Sequence, residues 1–334
     1  MQCFFVLVSL LLFIAPAAAA ESYPIYWVRQ TPSSANVLNT IPDEDVFNGA
    51  TPESVAQFNL SASTGDSSNK ITEQQFFEAI KTYAASGKPM IFFVHGCCAG
   101  EPTSLAKARM LANKCAMPVI MYRWPAFGGV GNYGDNEHVV HRCKGRAFRF
   151  LAELEAILPA QQTLLIGHSM GTRILLEALD RRSARLFKKP YQMTILAGAD
   201  EEAEIFCQSI KKIALSSNLT VVFFHKEDGA LFCSSQLHQQ FPRLGNFGDV
   251  SFKDSEDHRM QILDVSKLTL GSANHELPYD LIGTIAKKPF APLGFVCSKY
   301  YTTKLRNNIW SVTTKPGSKI DPKHVLTRKV KSSN

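Results

Sequence analysis

A serine stands at the centre of Gly167-His168-Ser169-Met170-Gly171, with a glycine two places to either side. A serine hydroxyl is a weak nucleophile until a base takes its proton, and that base needs an acid to orient its ring. The flanks of the pentapeptide matter as much as its centre. Thr163–Ile166 is an apolar run, while Ile174, Leu175, Ala178 and Leu179 recur at helical spacing. A strand that gives way to a helix within five residues lifts the serine above the sheet. It also leaves the next backbone N–H at a helix start, where negative charge is favoured. Side chains at Gly167 and Gly171 would collide where strand and helix pass closely. A random G-x-S-x-G arises roughly 0.1 times in a chain of this length, and the flanking elements make chance rarer still. Ser169 is therefore the candidate nucleophile.

Nine histidines compete for the role of base. His95 and His168 adjoin turns and cannot easily swing onto the serine oxygen. His138 and His141 fall in a helix, His238 follows a strand region, and His324 lies near the C-terminus. His258 precedes the last strand and so belongs at the wrong edge, and His225 sits only three residues before an acid candidate. His275 remains, in the loop "TLGSANHELP" after that strand. Two acids compete to orient it. Asp228 follows "VVFFHKE" and precedes Gly229, while Asp200 ends "TILAGAD" one strand earlier. Both fit the chain order serine, acid, histidine, and either residue type suits a helix N-cap. Asp228 is the preferred acid and Asp200 the alternative.

An oxyanion formed by attack of Ser169 on a carbonyl needs two donors. The N–H of Met170 is one, and the loop after "IFFVHG" supplies the other from Cys97 or Cys98. The Cys97-Cys98 pair also admits a vicinal disulfide or a thiol nucleophile; the serine turn carries the stronger signal, so the thiols read as scaffold.

The elements that must position these groups alternate. Thr72-Glu73-Gln74-Gln75 has capping-box spacing before a helical pattern of Phe76, Phe77, Ile80, Tyr83 and Ala84. "MIFFV" (Met90–Val94), "PVIMY" (Pro118–Tyr122), "TLLIG", "QMTILAG" (Gln192–Gly198), "LTVVFF" (Leu219–Phe224) and "QILDV" (Gln261–Val265) read as strands, with helices between them. That order predicts an α/β fold: right-handed crossovers and a mostly parallel sheet with helices on both faces, its active groups past the carboxyl ends of the strands.

The chain has 334 residues, 45% hydrophobic and 19% charged, ordinary for a protein with a sizeable core. The formal charge of +7 is concentrated at the C-terminus, where nine Lys or Arg from Lys299 onward face a single acid, Asp321. The preceding body is near neutral. A basic segment suits contact with an acidic surface, although no specific nucleic-acid partner is predicted, and a solvated end is the plainer reading. Residues 1–20, "MQCFFVLVSLLLFIAPAAAA", resemble a secretory signal peptide cleaved after Ala20. Export to the periplasm or beyond is the expectation. Seven cysteines remain after Cys3, an odd number, so at least one thiol stays free or pairs with another chain. The organisation expected is a signal peptide (1–20), an N-terminal extension (21–70), a catalytic domain (71–290) and a basic C-terminal segment (291–334).

These residues resemble the α/β-hydrolase superfamily, and most closely a bacterial family of α/β hydrolases of unknown function. The resemblance rests on "FFVHG" (Phe92–Gly96), "YRWP" (Tyr122–Pro125), Tyr133 with Asp135, "IGHSMG" (Ile166–Gly171), "ILAGAD" (Ile195–Asp200) and "EDGAL" (Glu227–Leu231). It runs from about Met90 to Leu277, and the motifs match in order as well as content. It implies the α/β-hydrolase fold and a Ser169–Asp228–His275 triad. The chain departs from the family at "GCCAG", which replaces the usual polar residues after the first His-Gly, and beyond Ala291.

"GVGNYG" (Gly129–Gly134) is formally a dinucleotide fingerprint. The acid it requires about twenty residues on would fall at Glu153 or Glu155, inside a helical pattern, so a loop bordering the active site is the better reading. No cofactor and no metal are expected. The function expected is that of an exported serine hydrolase, esterase- or lipase-like, taking a small-molecule or lipid acyl substrate through an acyl-Ser169 intermediate. The alternatives are an acyltransferase of the same fold, or an inactive hydrolase fold that binds through its basic segment.

Overall fold

The computed structural model describes residues 23–30, 58–64, 67–183, 189–246, 259–271, 273–287, 300–306 and 309–314. The signal-like segment, His258, Cys297, His324 and the basic residues beyond 314 lie outside the described residues. Eleven strands form one sheet. They are β1 (Ile25–Gln30), β2 (Phe58–Thr64), β3 (Ser67–Lys70), β4 (Met90–Val94), β5 (Val119–Arg123), β6 (Thr163–His168), β7 (Met193–Ala197), β8 (Thr220–Phe224), β9 (Met260–Asp264), β10 (Tyr300–Arg306) and β11 (Ile309–Thr314). Their order is β10-β11-β9-β8-β7-β6-β4-β5-β1-β2-β3. The eight strands from β11 to β1 are parallel, and the antiparallel strands β10, β2 and β3 flank them.

Among the described residues seven α-helices cover the sheet: α1 (Glu73–Ala84), α2 (Glu101–Cys115), α3 (Tyr133–Leu154), α4 (Gly171–Ser183), α5 (Ala203–Ser216), α6 (Gly229–Leu237) and α7 (Tyr279–Ala286). Alternation along the strands divides the core in two. Met90, Phe92 and Val94 of β4 pack with Phe76 and Ile80 of α1, Val140 of α3, Ile174 of α4 and Phe206 of α5. Ile91 and Phe93 face the other way, toward Leu111 of α2 and Ile282 of α7. Strands apolar on both faces are what a parallel sheet between two helix layers demands. The Thr72 capping box closes as its spacing predicts: Gln75 N–H donates to Thr72 Oγ1 at 3.1 Å, and Thr72 N–H to Gln75 Oε1 at 2.8 Å.

The sheet does not stop at 71 or 290. β1 pairs parallel with β5 and carries buried Ile25 and Trp27, and β2 and β3 extend that side. At the opposite side β11 pairs parallel with β9, burying Val312 and Ile309. Parts of both the supposed extension and the basic segment are thus strands of the same sheet. "PIYWVRQ" already reads as a strand-like piece within the extension; the strands at the two ends of the sheet, β3 and β10, are the ones whose polar sequences give little sign of it.

Candidate active site

β6 ends at His168, and Ser169 adopts φ +52° before α4 begins at Gly171. A left-handed backbone is costly for an L-residue; here it is held from several sides. Ser169 N–H donates to Ala197 O at 3.0 Å, and its own carbonyl accepts from Thr172 N–H (3.0 Å), Thr172 Oγ1 (2.6 Å) and Asp200 N–H (3.3 Å). Gly171 is sterically required, and Gly167 leaves little room for anything larger. A Cβ on Gly171 would run into His95 O and lie 2.7 Å from Val94 O, and one on Gly167 would meet Thr172 at 3.2 Å. Gly96 carries the same constraint, since a Cβ there would come within 2.7 Å of Ser169 Cβ. The loop after β4 therefore lies directly against the serine.

His275 and Asp228 are brought together: His275 Nδ1 and Asp228 Oδ2 are 2.7 Å apart. Asp228 also caps α6, its Oδ1 accepting from Leu231 N–H at 3.0 Å. The N-cap of α6 and the carboxylate at His275 are one residue here, its two oxygens dividing the contacts. The loop bearing His275 is anchored on either side. Gly229 N–H donates to Ala273 O at 2.9 Å, and buried Lys107 holds Glu276 at 2.7 Å. Among the described residues no hydrogen bond joins the Ser169 hydroxyl to His275; such bonds commonly tighten only once substrate is present.

The turn and the His275 loop are joined by a residue the sequence reading had set aside. His168 Nε2 hydrogen-bonds the carbonyl of His275 at 2.8 Å, with ring centroids 5.1 Å apart. Since a carbonyl only accepts, Nε2 carries the proton. Burial, then the charges of Lys107 and His275, push the His168 pKa well below the ordinary histidine value, so the ring stays neutral. A histidine so close to Ser169 in sequence that it cannot swing onto its hydroxyl leaves a structural role open, and that was the missed signal.

Asp200 occupies a different place. Its carboxylate accepts from Tyr133 Oη (2.6 Å) and Ser234 Oγ (2.6 Å) and pairs with Arg173 Nη2 (3.2 Å). Arg173 Nε also donates to Asp200 O, and its Nη1 holds Glu137, which in turn meets His238 Nε2 at 2.7 Å. Burial and the Asp200 charge keep the Tyr133 phenol protonated well above its usual range. This network ties α3, α4 and α6 to the end of β7 beneath the turn. Arg173, four residues past Ser169, was its overlooked member: the one charge in the first turn of α4.

Met170 is fully buried, and Cys97 and Cys98 are half-buried beside Gly96. Cys98 has φ +61°, and its carbonyl accepts from Gly129 N–H at 3.3 Å. The Gly-rich stretch therefore borders this loop, and Val130–Asn132 form a 3-10 turn before α3. Trp124 is core: it stacks on His95 at 5.4 Å and donates from Nε1 to His95 O at 2.7 Å. Phe127 is 52% exposed.

A family model described as "Alpha/beta hydrolase of unknown function (DUF900)" matches residues 68–283. Comparison with curated proteins gives no match. The eight-stranded parallel core, the serine turn between β6 and α4 and the extent of that match lead to one conclusion: the chain belongs to this family of α/β hydrolases.

Proposed function

We propose that the protein is a serine hydrolase that cleaves an ester, thioester or lipid acyl bond through an acyl-Ser169 intermediate. The observation that carries this reading is the His275–Asp228 pair, held by His168 to the same turn that strains Ser169 to φ +52°. Ser169 Oγ attacks the carbonyl carbon while His275 Nε2 takes its proton, and Asp228 fixes the ring so that Nε2 is the free nitrogen. The oxyanion accepts from the N–H of Met170 and from the Cys97 loop. Collapse expels the alcohol or thiol, protonated by His275, and water then repeats the sequence to release the acid.

The exposed Phe127 and Val130 beside Cys98 favour an apolar acyl group over a charged one. Export by the N-terminal segment, and contact of the basic segment with an acidic surface, complete the proposal. The test is a fluorophosphonate probe on the purified protein: labelling lost in Ser169→Ala supports the reading, and a wild type that stays unlabelled from pH 6 to 9 removes it. A panel of p-nitrophenyl esters of rising chain length then reads the acyl preference.

A further inference from the structure

Two thiols that the hydrolytic chemistry leaves unused sit on the loop assigned to the oxyanion. Cys97 Sγ and Cys98 Sγ are 2.9 Å apart, both half-buried and so reachable from solvent. Of the other described cysteines, Cys115 and Cys143 are buried, and Cys207 and Cys233 lie on α5 and α6. We propose that Cys97 and Cys98 form a redox modification site: a vicinal dithiol that exchanges with small-molecule disulfides and, once closed, disables the Ser169 site.

Three features carry this. The sulfurs need to move less than about 1 Å to reach bonding distance, about 2.05 Å. The Cys98 backbone is already held at φ +61° by Gly129 N–H on its carbonyl, and Asn136 Nδ2 approaches its sulfur at 3.8 Å. The two thiols are also unequal. The hydrogen bond from Cys97 lowers the Cys98 pKa, while the same bond and burial raise that of Cys97. Cys98 is thus the thiolate that reacts first.

The exchange balances. Cys98 thiolate attacks one sulfur of R–S–S–R, that S–S bond breaks, and R–S⁻ leaves and takes a proton. Cys97 then loses its proton to water and attacks Cys98 Sγ, expelling the second R–S⁻. The dithiol is oxidised to a disulfide and the small disulfide is reduced to two thiols. Neighbouring Cα atoms lie about 3.8 Å apart, below the usual range for a disulfide, so the ring is strained and readily reduced. Closing it turns the peptide plane between the two residues. The donors of this loop then lose their aim at an oxyanion, which tolerates only about 2.7–3.1 Å.

The activity arm of this proposal rests on the hydrolase reading; the chemical arm does not. Full-length protein is incubated with an excess of di(2-pyridyl) disulfide, an acyclic disulfide whose released thiopyridone is too weak a nucleophile to reopen a strained ring, remaining thiols are alkylated, and peptides are weighed. The peptide holding both residues should be unalkylated and lighter by two hydrogens. Fluorophosphonate labelling should slow about 10²-fold and recover with a phosphine. Whatever their own starting rates, Cys98→Ser should become insensitive to the oxidant, whereas Cys97→Ser should stop at a mixed disulfide on Cys98 and close no ring. Alkylation of both thiols, a mixed disulfide that never closes, or a closed ring with unchanged labelling would each overturn the proposal. A wild type that closes the ring yet never labels upholds the modification site and overturns the hydrolase reading instead.

Discussion

The backbone N–H of Asp200 reaches the carbonyl of Ser169 at 3.3 Å, while the Asp200 carboxylate is engaged by Tyr133, Ser234 and Arg173. Asp228, one strand farther along, is the acid at His275. Replacing Asp228 with Ala should lower kcat about 10⁴-fold. Asp200→Asn should act chiefly on stability, costing about 1–2 kcal/mol, because it neutralises the acceptor of Tyr133, Ser234 and Arg173 while Arg173 keeps Glu137 as its ion-pair partner. Urea unfolding together with ester kinetics separates the two. A larger kcat loss in the Asp200 variant, per folded molecule, would exchange the roles.

His168 is neutral, buried and bonded to the His275 carbonyl, so it positions without exchanging protons. His168→Phe should reduce kcat about 10²-fold, the penalty expected for a displaced base, with KM little changed. The slope of log kcat against pH should keep its shape. A shifted inflection would show that His168 itself titrates in the reaction.

The strain at Ser169 predicts a conflict between stability and activity. With φ at +52°, Ser169→Gly should be about 1 kcal/mol more stable than Ser169→Ala, since glycine alone enters this region freely. Both variants should be unlabelled by a fluorophosphonate. Equal melting temperatures would mean that the turn stores no such strain.

Burial lowers the His95 pKa from the ordinary 6.5 to about 4. The unfolded chain therefore binds a proton below pH 6.5 that the folded ring refuses, so stability falls as pH falls. The loss begins near pH 6.5, grows to about 3 kcal/mol near pH 4, and levels off below that value. His168 adds in the same direction. Urea midpoints measured from pH 7 to pH 4 should drop accordingly, and less steeply in His95→Gln. A flat profile would contradict the burial of either ring.

Much of this architecture was legible in the chain. Met90–Val94 and Thr163–Ile166 announced central strands because they are apolar on both faces, and Gly167 and Gly171 announced the turn because there is little room for anything larger. His275, the proposed base, was selected by excluding the other histidines on sheet topology, and the structure brings it to Asp228. What stayed hidden had physical causes. β3, Ser-Ser-Asn-Lys, is too short and polar to carry a signal, and β2 alternates Phe58, Leu60 and Ala62 with polar residues only within a stretch otherwise rich in Ser, Asn and Thr. The choice between Asp200 and Asp228 could not be made from position, since both follow strands at the same edge and only side-chain partners distinguish them. The bond from His168 to a loop 107 residues away in sequence leaves no local pattern at all.

The outermost strands have a consequence for handling the protein. β3 is a four-residue Ser-Ser-Asn-Lys strand, and β10 carries Lys304 and Arg306. Short or charged strands at the ends of a sheet generally disfavour further strand addition. Cutting at residue 290, as if the basic segment were a dispensable tail, would strip β10 and β11 and bare β9, whose Met260, Ile262 and Leu263 are buried. Such a fragment should precipitate or form higher-order species on a sizing column, whereas a cut after Thr314 should remain monodisperse.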